Sequence, residues 1–254
     1  MGFEPDLAIL SWLRMIGTLL NVAGILIGGM LGLTRPRWLT AARESFFKVA
    51  LIVFTVWYGL RLTWLSLNGP LAAILKQLLI AVLALMLGKV AGRLLRLQRL
   101  SNRLGRTARE RISAATAGGA SHSGDGFKTC AVLFCAAPLG LLGAVQDGLS
   151  GYFYPLAVKG VMDGLATMGF VSMFGSEAML SALPVLAVQG TVTLACARFL
   201  RPWLLDHGLI DATNATGGLL VFCVALVMLG LKKVELTDYL PSIVVAPLLT
   251  WLWR

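Results

Sequence analysis

GLLGAVQDGLSGYFYPLAVKGVMDG, running from Gly140 to Gly164, sets Gln146, Asp147, Lys159 and Asp163 beside or inside segments otherwise apolar enough to cross a bilayer. A charged side chain at the bilayer centre costs on the order of 3 kcal/mol even on lenient insertion scales, so a residue of this kind marks a functional site by default. The remainder of the chain fits the same setting. Its 254 residues are 57% hydrophobic and 13% charged, and the mean hydropathy of +0.81 is too high for a soluble domain. The apolar runs recur at bilayer-spanning length, so the fold class is an all-α polytopic transmembrane bundle of about eight spans. The net charge of +10 comes from basic residues gathered in a few segments beside apolar runs, a topology signal rather than a nucleic-acid surface. Cys130, Cys135, Cys196 and Cys223 form no CxxC pair, and His122 and His207 lie far apart, so neither a metal nor a cofactor is expected. No segment has the pattern of a cleaved signal peptide.

Residues 1–14 read as a terminal extension with an apolar patch too brief to span, followed by a single transmembrane domain over 15–254. Its first unit, 15–88, holds three spans. The first carries Gly24, Gly28 and Gly32 at intervals of four, a face that another helix backbone can approach closely, with Asn21 one turn earlier. The second runs from about Phe46 to Leu67 with Arg61 at its far interface, and the third covers Leu71 to Leu87. From 89 to 128 come a basic amphipathic helix and a flexible linker, ISAATAGGASHSGDG. In that helix Arg93, Arg96, Arg99, Arg103 and Arg106 alternate with leucines, a pattern suited to the headgroups of membrane lipids. A central pair of spans occupies 129–178, the fourth from Thr129 to Gln146 and the fifth from Pro155 to Gly175. The last unit, 179–254, holds three more: Met179 to Ala197, Thr216 to Leu231, and Tyr239 to Trp253. Charge bias places loops 34–48 and 89–128 on the cytoplasmic side.

Features of the first three spans return in the last three. Ile16-Gly17-Thr18 matches Gln189-Gly190-Thr191, Arg35-Pro36-Arg37-Trp38-Leu39 resembles Arg201-Pro202-Trp203-Leu204, and Gly59-Leu60-Arg61 resembles Gly230-Leu231-Lys232. Corresponding spans are five apart, an odd number, so with all eight crossing the copies would be inverted. That plan recurs in secondary transporters, with the site near mid-bilayer between the repeats. Spans four and five are then the insert between the copies.

Several motifs carry a resemblance across nearly the whole chain from Met15: Gly17-Thr18-Leu19-Leu20-Asn21, Gln146-Asp147-Gly148-Leu149, Lys159 with Asp163-Gly164, Gln189-Gly190, and Gly230-Leu231-Lys232-Lys233. Together they resemble the bacterial inner-membrane family of unknown function known as YqgA/YdfK-like. The resemblance implies a multi-pass inner-membrane protein labelled a transporter without an established substrate. It also implies that residues 1–14 precede the usual start.

The expected function is transport or channelling of a small solute or ion, with Asp163 and Asp147 as cation- or proton-binding acids; a helix-end or turn role beside Gly148 to Gly151 competes for Asp147. Gln146, Asn21, Gln189 and Thr191 would line the site, and Lys159, four residues before Asp163, shares its helix face. Burial favours the neutral acid and a nearby ammonium the carboxylate, a competition that proton coupling would exploit. Two further readings compete. One is a non-catalytic scaffold or assembly factor whose glycine strips join copies into a homo-oligomer. The other is an intramembrane hydrolase with Asp147 and Asp163 facing each other; the usual catalytic signatures are absent, so no enzyme is expected. Neither a Walker loop nor a dinucleotide-binding glycine fingerprint occurs in the required setting.

Overall fold

The computed structural model describes residues 15–34, 41–116, 124–231 and 234–253. The terminal extension, the Arg35 to Trp38 segment, the middle of the linker and the Lys232-Lys233 pair lie outside the described residues. Among the described residues every regular element is helical: α1 (Ile16–Thr34), α2 (Ala41–Leu65), α3 (Leu71–Leu94), α4 (Leu97–Thr116), α5 (Asp125–Ala136), α6 (Pro138–Ser150), α7 (Tyr154–Phe174), α8 (Ala182–Ala195), α9 (Arg201–Asp206), α10 (Ile210–Met228) and α11 (Ser242–Leu252). Five helical stretches are long and apolar enough to cross a membrane, and the bent pair α5–α6 makes a sixth; about eight crossings were expected. Lipid-compatible surface is plain on α2 and α3, where Phe46, Val53, Trp57, Trp64, Leu75, Val82, Met86 and Val90 are exposed.

The stretch Tyr154–Asp206 has 53 residues, more than twice the roughly 20 that one crossing needs. It reverses direction. Along α1, Gly24, Gly28 and Gly32 meet Gly160, Gly164 and Met168 in turn, so α7 runs parallel to α1. On the other side Gly29 meets Met179 and Asn21 meets Gln189, so α8 runs antiparallel. The turn falls at Gly175, whose φ of 75° and ψ of −167° suit glycine, and passes through a 3-10 segment, Gly175–Ser181. Two other pairs are antiparallel: Gly59 and Thr63 of α2 pack on Phe222 and Gly218 of α10, while Gly88 and Gly92 of α3 pack on Ser242 and on Asp238 just before α11. A side-chain Cβ at Gly24 or Gly28 would overlap the backbone of α7, so these glycines set how closely α1 and α7 approach.

Several expected boundaries move. The fourth span is two helices bent by 58° at Ala137, because Pro138 lacks the N–H to continue α5 and holds Ala137 extended at φ −65° and ψ 124°. The amphipathic helix, expected to follow Gly88, starts at Leu97; α3 continues through Arg93 to Leu94, and Arg96 turns the chain at φ 56°. The flexible tract is shorter than expected, since Ile112 to Thr116 end α4 and Asp125-Gly126 begin α5. The seventh span begins at Ile210 rather than Thr216, which places Thr213 and Asn214 inside it.

Candidate intramembrane polar site

The short helix α6 is the axis of the site. Leu139, Gly140, Leu142, Gly143, Ala144, Gln146, Asp147, Gly148 and Leu149 are all buried, so most of its surface is packed against protein. Pro138, Leu141 and Val145, on one face, are half-buried, so the helix is largely but not wholly enclosed, a setting in which a half-helix at membrane depth is tolerated. Its C-terminal end is closed by Gly151 at φ 71°, whose N–H bonds to the Asp147 carbonyl, and by the Arg201 Nε donating to the Leu149 carbonyl at 3.0 Å. Each flank meets a different neighbour. Gly140 and Gly143 face Lys159 and Leu156 of α7, and the Ala144 carbonyl accepts from the Thr193 hydroxyl of α8 at 3.1 Å. Asp147 faces α1, and Gln146 lies against Gly217 of α10.

Lys159 and Asp163 form a buried ion pair one helical turn apart on α7. Lys159 Nζ also lies 5.6 Å from the centre of the Phe134 ring at the end of α5. Asn21 of α1 and Gln189 of α8 complete the group: Asn21 Nδ2 donates to Gln189 Oε1 at 3.0 Å, and the Asn21 amide also faces Asp163. All four residues are more than nine-tenths buried. Two atoms of this cluster, Asn21 Oδ1 and Gln189 Nε2, have no hydrogen-bond partner among the described residues. A buried amide group left in that state costs roughly 1 to 3 kcal/mol, so these two atoms are places for an ordered water or a polar ligand.

The other expected residues go elsewhere. Asp147 Oδ2 accepts from the Gly17 N–H at 2.9 Å, so its carboxylate caps the first turn of α1 across the chain. Asp147 meets α1 at Gly17 and Asp163 meets it at Asn21, about 6 Å farther along the axis. Each acid already has its own partner, and they do not form a facing dyad. Gln146 is separate from the Lys159 group; among the described residues both its amide atoms, beside Gly217, and the Asn214 Oδ1 of α10 have no hydrogen-bond partner. Thr191 is exposed, and Thr193, two positions on, is the threonine that turns inward. It reaches the Thr18 hydroxyl at 3.3 Å.

Sequence reasoning missed the break at Ala137-Pro138, the place of Gly140 beside Lys159, and the inward Thr193. Pro138 inside an apolar run was the available signal for the first. Nothing in the sequence pointed to the others, which depend on how α6 and α8 rotate against their neighbours.

The model of one protein family, described as "Protein of unknown function (DUF554)", matches residues 16–251, from the first residue of α1 to the last turn of α11. The chain belongs to that family. Two relatives extend the match. It is 25% identical over 233 residues to a Bacillus subtilis (strain 168) protein named "Uncharacterized membrane protein YdfK", covering 92% of this chain and 94% of the relative. It is 26% identical over 244 residues to an Escherichia coli (strain K12) protein named "Uncharacterized protein YqgA", covering 94% of this chain and 97% of the relative. No solved structure matches. Family membership and the apolar helices together establish a membrane protein, and the resemblance read from the sequence motifs is the correct one.

Proposed function

We propose that this protein is an integral membrane transporter for a small solute or ion, and that Lys159, Asp163, Asn21 and Gln189 form its binding site. The observation carrying this reading is the buried ion pair flanked by two amide atoms without partners, at the break of a spanning helix. Secondary transporters place solute sites at broken helices near mid-bilayer. Eight crossings follow when the reversal at Gly175, the bent pair and the short helix Leu236–Leu252 are each counted. An inverted repeat is supported by the antiparallel packing of α1 on α8, α2 on α10 and α3 on α11, the three pairs that internal resemblance would relate.

The protein would sit in the bacterial inner membrane with the α4 end in the cytoplasm. Exposed Lys48, Arg93, Arg96, Arg99, Arg103 and Arg106 gather there, as charge bias requires. Arg96, Arg99, Arg103 and Arg106 share that surface with exposed Leu94, Leu95, Leu100 and Leu104, which suits anionic lipid headgroups above an apolar layer. The alternative of a scaffold joined through its glycine strips loses its main support, because those strips are consumed between α1 and α7 of one chain. A homo-oligomer would use the exposed apolar faces of α2 and α3 instead.

The test is a flux screen in proteoliposomes under an imposed proton gradient. Asp163→Asn should abolish uphill solute uptake while the protein still inserts and purifies. Unchanged uptake would remove Asp163 from the mechanism.

A further inference from the structure

Three features converge at Gly140. A Cβ built there would lie 2.8 Å from Lys159 Cε and 2.9 Å from Gln189 Nε2, so the ammonium stem and the unpartnered amide donor both press on the first turn of α6. That turn is the positive end of a 13-residue helix dipole. No side chain caps it. Pro138 has no N–H and the Gly140 N–H is taken by the Ala137 carbonyl, so this end contributes its dipole rather than a pair of backbone donors; beside it stand the Lys159 ammonium and the Gln189 amide donor, and all three favour a negative group. Gln189 is only 1% exposed, so its donor points into the protein interior and not into water. Among the described residues Asp163 is the counterion paired with Lys159.

We propose that the solute taken at this site is a small monocarboxylate, whose carboxylate replaces Asp163 as the counterion of Lys159 when Asp163 takes up a proton. The inference rests on the transport reading and adds its substrate class and its coupling. One proton and one anion enter together, and the anion takes its place as the flexible ends of Lys159 and Gln189, now close-packed on Gly140, draw back from the α6 terminus; Asp163 is then the neutral acid, and both leave on the other side as the ion pair re-forms. At every stage Lys159 keeps one counterion, which a buried ammonium requires. The titratable groups facing Asp163 are few. On its own helix there is Lys159; α5 presents the thiols of Cys130 and Cys135; α1 contributes the neutral Asn21 and α8 the neutral Gln189.

The full-length protein in proteoliposomes is tested with radiolabelled acetate, lactate and pyruvate, with alanine as the zwitterion and sodium as the cation. Binding of one of the monocarboxylates should tighten about tenfold for each unit the pH falls over the range in which Asp163 takes up its proton, the signature of one proton bound per anion. Asp163→Asn should bind that anion tightly at all pH values and exchange it, yet lose uptake driven by a proton gradient. Lys159→Met should lose anion binding. Because Lys159→Met removes a buried charge and could fail to fold, Gln189→Glu, which sets a carboxylate at the anion's place, should give the same loss.

Alanine or sodium binding while no monocarboxylate does would overturn the anion assignment and leave the transport reading intact. Weakened anion binding in Asp163→Asn would overturn the counterion exchange. If no probe binds or moves in the unsubstituted protein, the monocarboxylate assignment fails, and the transport reading is judged separately by the proton-gradient flux screen.

Discussion

Asp147-Gly148-Leu149 in α6 and Asp163-Gly164-Leu165 in α7 are the same tripeptide, and the structure puts them to different uses. The glycines behave alike: Gly148 lies on the backbone of α8 at Thr193, and Gly164 lies on that of α1 at Gly24. The acids do not. Four residues before Asp163 stands Lys159, and four residues before Asp147 stands Gly143. With no cation on its own helix face, Asp147 finds compensation in the N-terminus of α1 through the Gly17 N–H. Asp163 finds it in the ammonium of Lys159 on its own helix. A carboxylate that completes a helix end is suited to a structural role, whereas one held by a side-chain counterion beside an amide donor and an amide acceptor without partners among the described residues is suited to binding.

The comparison breaks most visibly at Lys159. Lys159→Ala leaves the Asp163 carboxylate buried without its cation, a change of about 3 to 5 kcal/mol for such pairs. It should lower the detergent melting temperature by several degrees, and the Lys159→Ala/Asp163→Ala double variant should recover much of the loss. A double variant no more stable than the single would mean that the pair is not what holds Asp163.

The shared glycines come next. Gly148→Ala and Gly164→Ala each press a methyl group on a neighbouring backbone and should cost about 1 to 3 kcal/mol by overpacking. Gly105→Ala, where nothing lies within 4 Å, should leave the melting temperature unchanged or raise it. Equal behaviour at all three positions would remove the close-approach argument.

Asp147→Ala should cost about 0.5 to 2 kcal/mol, the usual loss for a helix cap, and Asp147→Asn less, since an amide oxygen also accepts from an N–H. Smallest is the threonine pair. Thr193→Ala should lose about 1 kcal/mol from its bond to the Ala144 carbonyl, while exposed Thr191→Ala should be silent in the same melting assay.

The parts legible in the sequence are those written in local spacing. Lys159 and Asp163 at one-turn separation announce their pair, and Gly24, Gly28, Gly160 and Gly164 announce a helix contact, though not that the two strips meet each other. The polarity of Asn21 and Gln189 in apolar helices was visible, and their mutual bond was not, because it depends on the reversal at Gly175. Thr191 and Thr193 differ only by the rotation of α8 about its axis, a quantity that packing against α1 and α6 decides. The step of about 100° between successive helix residues explains why Asp147 and Gln146, adjacent in α6, end on different neighbours.

Proton-driven uptake in proteoliposomes, compared between Asp147→Asn and Asp163→Asn, tests the division of labour between the two acids most directly. Uptake that persists with unaltered pH dependence in Asp147→Asn and disappears in Asp163→Asn is the predicted result. Loss in Asp147→Asn with well-folded protein, together with normal uptake in Asp163→Asn, would contradict it.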